Sequence, residues 1–234
     1  MRSIFLKSFI KSELTGWKPP EIIGLCLVLG TVFYNYIFLH DSIIAVISAI
    51  CGIMYTVIAG KGKISCYIFG LTGSGFYSYL ALSNALYGNL ALYIIYYIPM
   101  QILGIFKWKS HLKEKTNEIY KTKLDTKERI ILSIVSVTLC LMGYLILIKL
   151  NDSHPVSDSI ATMLSIVGMY LTVRRAIEQW IIWMIVNAIS AFMWIKVTLS
   201  GSNTCSTVIM WSVYFVLAVY FYREWKKELN YIPN

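Results

Sequence analysis

The chain of 234 residues is 57% hydrophobic and 14% charged, where a soluble domain holds about 45–50% and about 25%. That balance, with the apolar residues gathered into charge-free runs, excludes a soluble globular domain and leaves an all-α polytopic membrane protein. The formal charge of +9 lies in short segments between apolar runs rather than on an amphipathic face. It therefore reads as membrane orientation, with no nucleic-acid partner.

Residues 1–19 contain Arg2, Lys7, Lys11 and Lys18 but no apolar stretch followed by a small-residue cleavage site, so no removable signal peptide is expected. Beyond them, charges mark where spans stop, because a charge at mid-bilayer costs about 2.5–3.5 kcal/mol on insertion scales. Nineteen uncharged residues separate Glu21 from Asp41, Asp41 from Lys61, and Arg129 from Lys149. Each interval is close to the roughly 20 residues that cross the hydrocarbon, which gives the first, second and fifth spans. From Ile64 to Phe106 run 43 residues without a charge, about 65 Å as one helix and twice the slab. The run must fold back, and the turn signals Ser83-Asn84 and Gly88-Asn89 divide it into a third and a fourth span. The loop Asn151-Asp152-Ser153-His154-Pro155 leads into a sixth span ending at Val173, with only 15 uncharged residues between Asp158 and Arg174. Ile177 to Trp194 makes the seventh, and after Ser200-Gly201-Ser202-Asn203, Cys205 to Tyr222 makes the eighth.

With the N-terminus inside, 19 of the 21 Lys and Arg residues fall on the cytoplasmic side, leaving Lys149 and Lys196 outside. Eight spans with both termini cytoplasmic follow. Spans two to four (about 42–107) and six to eight (about 157–222) are each three helices that begin outside and end inside. They form a parallel repeat, joined by span five (about 129–149) as a linker helix, with span one as an N-terminal helix. The whole chain, 1–234, reads as one membrane domain.

Polar side chains inside spans are expensive unless they meet one another or line a cavity. In the seventh span Trp180, Trp183 and Asn187 stand at i, i+3 and i+7, putting two indoles and a carboxamide on one stripe that could grip a flat ring. The alternative is an interfacial aromatic belt with Asn187 bonding a neighbouring helix. The fourth span carries Tyr93, Tyr96, Tyr97, Pro99 and Gln101. Gln101 is too polar to face lipid, and Pro99 either frees a carbonyl for a ligand or marks a kink. Gly70, Gly73, Ser74 and Gly75 in the third span read as close helix packing. Asn35 and Tyr55 are single polar positions with no visible partner.

No Asp, Glu, Lys or Arg lies near the centre of a span; Glu21, Asp41 and Glu178 stand at span ends. Uniport is the simpler expectation for such a chain. His40, His111 and His154 are scattered, and Cys26, Cys51, Cys66, Cys140 and Cys205 stand singly in apolar stretches. Neither set suggests a metal, a cofactor, a disulfide or a catalytic dyad, so an enzyme is not expected.

The segments Glu178-Gln179-Trp180-Ile181-Ile182-Trp183 with Asn187, Tyr96-Tyr97-Ile98-Pro99-Met100-Gln101-Ile102-Leu103-Gly104, and Lys63-Ile64-Ser65-Cys66-Tyr67-Ile68-Phe69-Gly70 together resemble the PnuC family of bacterial nicotinamide riboside transporters. The resemblance covers most of the chain and implies a three-plus-one-plus-three core like that of SWEET sugar transporters. It implies that Trp180 and Trp183 hold the nicotinamide ring, that Asn187 bonds the carboxamide or ribose, and that Gln101 bonds the ribose or amide from the opposite repeat. Tyr97 and Asn35 are further substrate-binding candidates. It also implies facilitated uptake through the inner membrane, trapping by a separate cytoplasmic riboside kinase, and a homotrimer. Relatives of similar fold carry thiamine or other vitamins, which stays open as an alternative substrate. A third reading, a binding subunit of an ATP-driven importer, would use the basic segment from Lys107 to Arg129 for docking.

Overall fold

The computed structural model describes residues 16–38, 40, 42–83, 90–114, 116–151, 154–200 and 205–231. The turns predicted at 84, 88–89 and 201–203, part of the loop at 152–153, Asp41, and the basic residues of the first fifteen positions lie outside the described residues.

The described chain is helical and follows the predicted intervals. The helices are α1 (Pro19–Phe38), α2 (Ile43–Gly60), α3 (Cys66–Ser83), α4 (π-helical over Leu92–Tyr97, then α-helical over Ile98–Lys109), α5 (Thr126–Lys149), α6 (Pro155–Val173), α7 (Glu178–Leu199) and α8 (Cys205–Tyr231). Five of these, α1, α2, α5, α6 and α7, are long and apolar enough to cross a membrane on length and composition alone. Glycine, serine and tyrosine dilute α3, and the charged end of α8 lengthens it beyond the apolar run.

Local chemistry sets the ends. Ser42 Oγ accepts from Ala45 N at 3.2 Å to open α2. Asp125 and Glu128 form a reciprocal capping box at the start of α5, and Pro155 takes the first turn of α6, where its missing N–H costs nothing. In α4 the proline expectation resolves differently from a simple kink. Pro99 cannot donate, and the turns before it widen so that Ile98 N reaches Tyr93 O, five residues back. The eighth helix passes its predicted end at Tyr222 and runs to Tyr231. Charges end a membrane span but not a helix, and here Lys227 pairs with Glu224 at 3.1 Å along the continued surface.

The chain divides into two compact units, Met1–Tyr120 with α1 to α4 and Lys121–Asn234 with α5 to α8. In the first, α2 and α3 are joined by a tight turn in which Lys61 N donates to Val57 O (3.1 Å), Gly62 N to Ala59 O (2.9 Å) and Lys63 N to Ile58 O (3.2 Å). Gly62 is left-handed, with φ 72°, and its carbonyl accepts from Ile119 N at 2.9 Å. In the second unit, Arg174 N donates to Tyr170 O, Arg175 N to Thr172 O and Ala176 N to Leu171 O, each at 3.0 Å. Arg175 is left-handed with φ 61°, and its carbonyl accepts from Thr122 N at 2.9 Å. Every donor and acceptor within these two turns lies 113 residues from its counterpart, as Lys61 does from Arg174.

The same likeness reaches the helix that precedes each turn. Lys61 Nζ meets Glu21 Oε2 of α1 at 2.7 Å, and Arg174 Nη2 meets Glu128 Oε1 of α5 at 2.6 Å. Each acid is the third residue of its helix and also accepts from a backbone N–H, Lys18 N at 2.9 Å and Asp125 N at 3.2 Å respectively. The hydrogen bond to Glu128 raises the pKa of Arg174, whereas burial and then the Arg174 charge lower that of Arg175. A buried aromatic edge pair completes each unit. Tyr67 meets Trp108 at 5.0 Å and 76° in the first, and Trp180 meets Trp225 at 5.6 Å and 82° in the second. Such pairs contribute about 0.5–1.5 kcal/mol beyond the area they bury.

Candidate functional site

The stripe on α7 begins at a fixed base. Glu178 is 8% exposed and accepts from Leu124 N at 3.3 and 3.2 Å and from Arg129 Nε and Nη2 at 3.0 and 2.7 Å. A carboxylate in the first turn also suits the positive end of the helix dipole. The side chain read from sequence only as a span boundary therefore ties the start of α7 to the segment leading into α5.

Along the stripe the two indoles differ. Trp180 is 3% exposed, lying 5.3 Å from Phe221 at 32° and edge-on to Trp225, and its Nε1 has no hydrogen-bond partner among the described residues. Trp183 is only half-buried. Its Nε1 donates to Thr172 Oγ1 over a long 3.4 Å, and its ring lies on Gly168, where an added Cβ would come within 3.0 Å of Trp183 Cε2. Gly168 is what lets the indole approach the α6 backbone. Asn187 is 6% exposed and Ser190, three residues on, is also buried. Ser190 extends the stripe at the same helical spacing and was not singled out from the sequence.

In the first unit, Gln101 is 3% exposed and donates from Nε2 to Ser74 Oγ at 2.8 Å, while its Oε1 has no partner among the described residues. A Cβ at Gly70 would come within 2.6 Å of that oxygen and 2.7 Å of Tyr55 Cδ2. Of the small residues of α3, Gly70 and Gly73 serve close packing, as predicted, whereas Gly75 is exposed with nothing within 4 Å of an added Cβ; Gly70 also leaves the Gln101 oxygen room. Tyr55, which showed no partner in the sequence, lies against Gly70 and 6.1 Å from the Tyr67 ring. The Tyr67 hydroxyl is a second buried group without a partner among the described residues. Tyr97 is buried one turn before Gln101, in a tyrosine cluster with Tyr93 at 4.9 Å and Tyr96 at 5.7 Å. Asn35 is half-buried on α1, and its Oδ1 lacks a partner among the described residues.

The structure thus puts Trp180, Trp183 and Asn187 on one face of α7 and Gln101 with Tyr97 on α4, and leaves Asn35 on a separate helix. Sequence reasoning left Tyr55 as a lone polar position and Ser74 as close packing, gave Tyr67 no role of its own and did not single out Ser190. The 113-residue spacing of the two turns is the signal that reaches three of them. It sets Tyr67 opposite Trp180, Ser74 opposite Asn187, Gly70 opposite Trp183 and Tyr55 opposite Gly168. At that last contact the halves exchange roles, with the ring on α2 and the glycine on α3 in one unit, and the glycine on α6 and the ring on α7 in the other.

The family description "Nicotinamide mononucleotide transporter" matches residues 42–227. The chain belongs to the PnuC transporter family. Similar members are the nicotinamide riboside transporter PnuC of Neisseria mucosa, 30% identical over 93% of this chain and 85% of that protein, and that of Haemophilus influenzae, 30% identical over 95% and 96%. A crystal structure of the vitamin B3 transporter PnuC superposes with a TM-score of 0.78 at 30% identity, covering 95% of this chain and 97% of the other. The PnuC match agrees with a multi-pass membrane transporter, and the family match begins where α2 does, with α1 ahead of it.

Proposed function

We propose that this chain carries nicotinamide riboside across the bacterial inner membrane as a uniporter, with both termini cytoplasmic and a separate kinase trapping the product. The observation that carries the reading is the full-length likeness to proteins named nicotinamide riboside transporters, and the chemistry of α7 fits such a ligand. The riboside carries a pyridinium charge, and an indole face attracts a cation by about 0.5–2 kcal/mol without a fixed anion in the membrane. Half-buried Trp183 has an indole to offer, Asn187 a carboxamide one turn on, and Gln101 an oxygen acceptor. Trp180 would supply the second ring, with Tyr97 and Asn35 as further contacts.

The phosphate decides between the riboside and its mononucleotide. A phosphate dianion in a low-dielectric site needs cations or several N–H donors, yet no Lys or Arg lies between Glu178 and Lys196 or between Ile64 and Phe106. The matching hydrogen bonds of the two turns support a parallel repeat of α2 to α4 and α6 to α8, and the repeated ion pairs add α1 and α5 as the helices that brace each half. We propose a homotrimer as the assembly, on family resemblance.

A thermal-shift screen of the purified protein tests the substrate. Nicotinamide riboside is expected to raise the melting temperature, while thiamine and nicotinamide mononucleotide leave it unchanged. Stabilisation by thiamine and not by the riboside would refute the specificity and leave the fold standing.

A further inference from the structure

We infer that Ser74 is a positioning residue that holds the donor end of the Gln101 carboxamide, so that the acceptor end is left for the ligand and the site reads a hydrogen-bond donor on the substrate there. This rests on the nicotinamide riboside reading above. A primary carboxamide has a donor end and an acceptor end of nearly equal size, and left alone it can present either. Here the donor end is occupied. Gln101 Nε2 reaches Ser74 Oγ at 2.8 Å, both residues being at least nine-tenths buried. The acceptor end is left over, since Oε1 has no partner among the described residues.

Two further features bear on that buried oxygen. Gly70 supplies no side chain on the α3 side, where a Cβ would stand 2.6 Å from Oε1. The residues nearest that glycine are the Gln101 oxygen itself and the Tyr55 ring, which is an edge of carbon at that point. A buried acceptor without a donor is unfavourable, and a ligand N–H or O–H removes the deficit on binding. Nicotinamide riboside offers both kinds, the carboxamide N–H groups and the ribose hydroxyls. The position of Ser74 adds an independent reason. It occupies, 113 residues earlier, the place that Asn187 holds on α7, so the same turn of each middle helix carries a polar side chain. In one half that side chain is a carboxamide, and in the other it is a hydroxyl that holds a carboxamide from the neighbouring helix.

The experiment measures binding of nicotinamide riboside, nicotinic acid riboside and the 2′- and 3′-deoxy analogues to the full chain and to Ser74→Ala, with melting temperatures alongside. The native protein should prefer nicotinamide riboside over whichever analogue lacks the donor that Gln101 reads. In Ser74→Ala that preference should narrow by about tenfold while the other analogues keep their ranking, because a freely turning amide no longer enforces one orientation. In a Gln101→Leu background, Ser74→Ala should change the preference no further, since its effect passes through Gln101. Equal weakening for all four ligands, an unchanged preference, or an undiminished effect in the Gln101→Leu background would each overturn the inference. A native protein that binds none of the four would instead refute the substrate reading on which it stands.

Discussion

Trp183→Ala is expected to weaken nicotinamide riboside binding by roughly 30- to 150-fold, from the loss of a desolvated cation–π contact of about 2 kcal/mol and part of the ring burial at about 25 cal/mol per Å². The fold should survive. Trp183 is half-buried, its hydrogen bond to Thr172 is long, and its ring rests on Gly168. Trp180→Ala should behave in the opposite way. That indole is packed against Phe221 and Trp225, and removing a buried tryptophan costs about 3–5 kcal/mol. Titration calorimetry for affinity and thermal unfolding for stability separate the two roles. A Trp183→Ala protein that binds normally, or one that unfolds as readily as Trp180→Ala, would show the outer indole to be packing only.

Glu178→Ala is expected to cost about 2–4 kcal/mol of stability, the lower part of the range for breaking a buried ion pair, because Arg129 can turn to water. Its guanidinium side chain is 44% exposed, against 10% for the Glu178 side chain. The buried Leu124 N–H, which donates to Glu178, has no such escape. Glu178→Gln should recover part of the loss, since a carboxamide still accepts from Leu124 N. The check is the melting temperature in detergent, with an unchanged value for Glu178→Ala contradicting the role. Substrate affinity should fall along with stability in this variant, because the base of the Trp180–Asn187 stripe is no longer held.

The features legible in the sequence are those that the bilayer itself imposes. Charges at Glu21, Lys61, Arg129 and Lys149 bounded α1, α2 and α5, since each interval had to match the slab, and the indole stripe of α7 showed in its helical spacing. Long-range pairing was not legible by the same route. Lys61 and Arg174 looked like orientation charges, and Glu178 like a span end, because their partners lie 40 to 49 residues away or more on other helices. Gly168 stands in the sixth span with no task that the sequence shows, and its use as the seat of the Trp183 ring depends on a neighbour that local pattern cannot name. Ser74 was hidden for a related reason. A serine among glycines reads as close packing, and only the Gln101 side chain arriving from α4 gives it a second task. The parallel repeat was an expectation from topology, and what supports it at residue level is two turns with the same hydrogen bonds and different sequences, Lys61-Gly62-Lys63 and Arg174-Arg175-Ala176.

The central claim, that this chain alone moves nicotinamide riboside down its gradient, is tested most directly by uptake into liposomes containing only this purified protein. With no ATP and no ion gradient, labelled nicotinamide riboside should enter until the inner and outer concentrations are equal and then stop. Uptake that appears only when an ATP-hydrolysing partner or an ion gradient is added, or accumulation above the outside concentration, would contradict it.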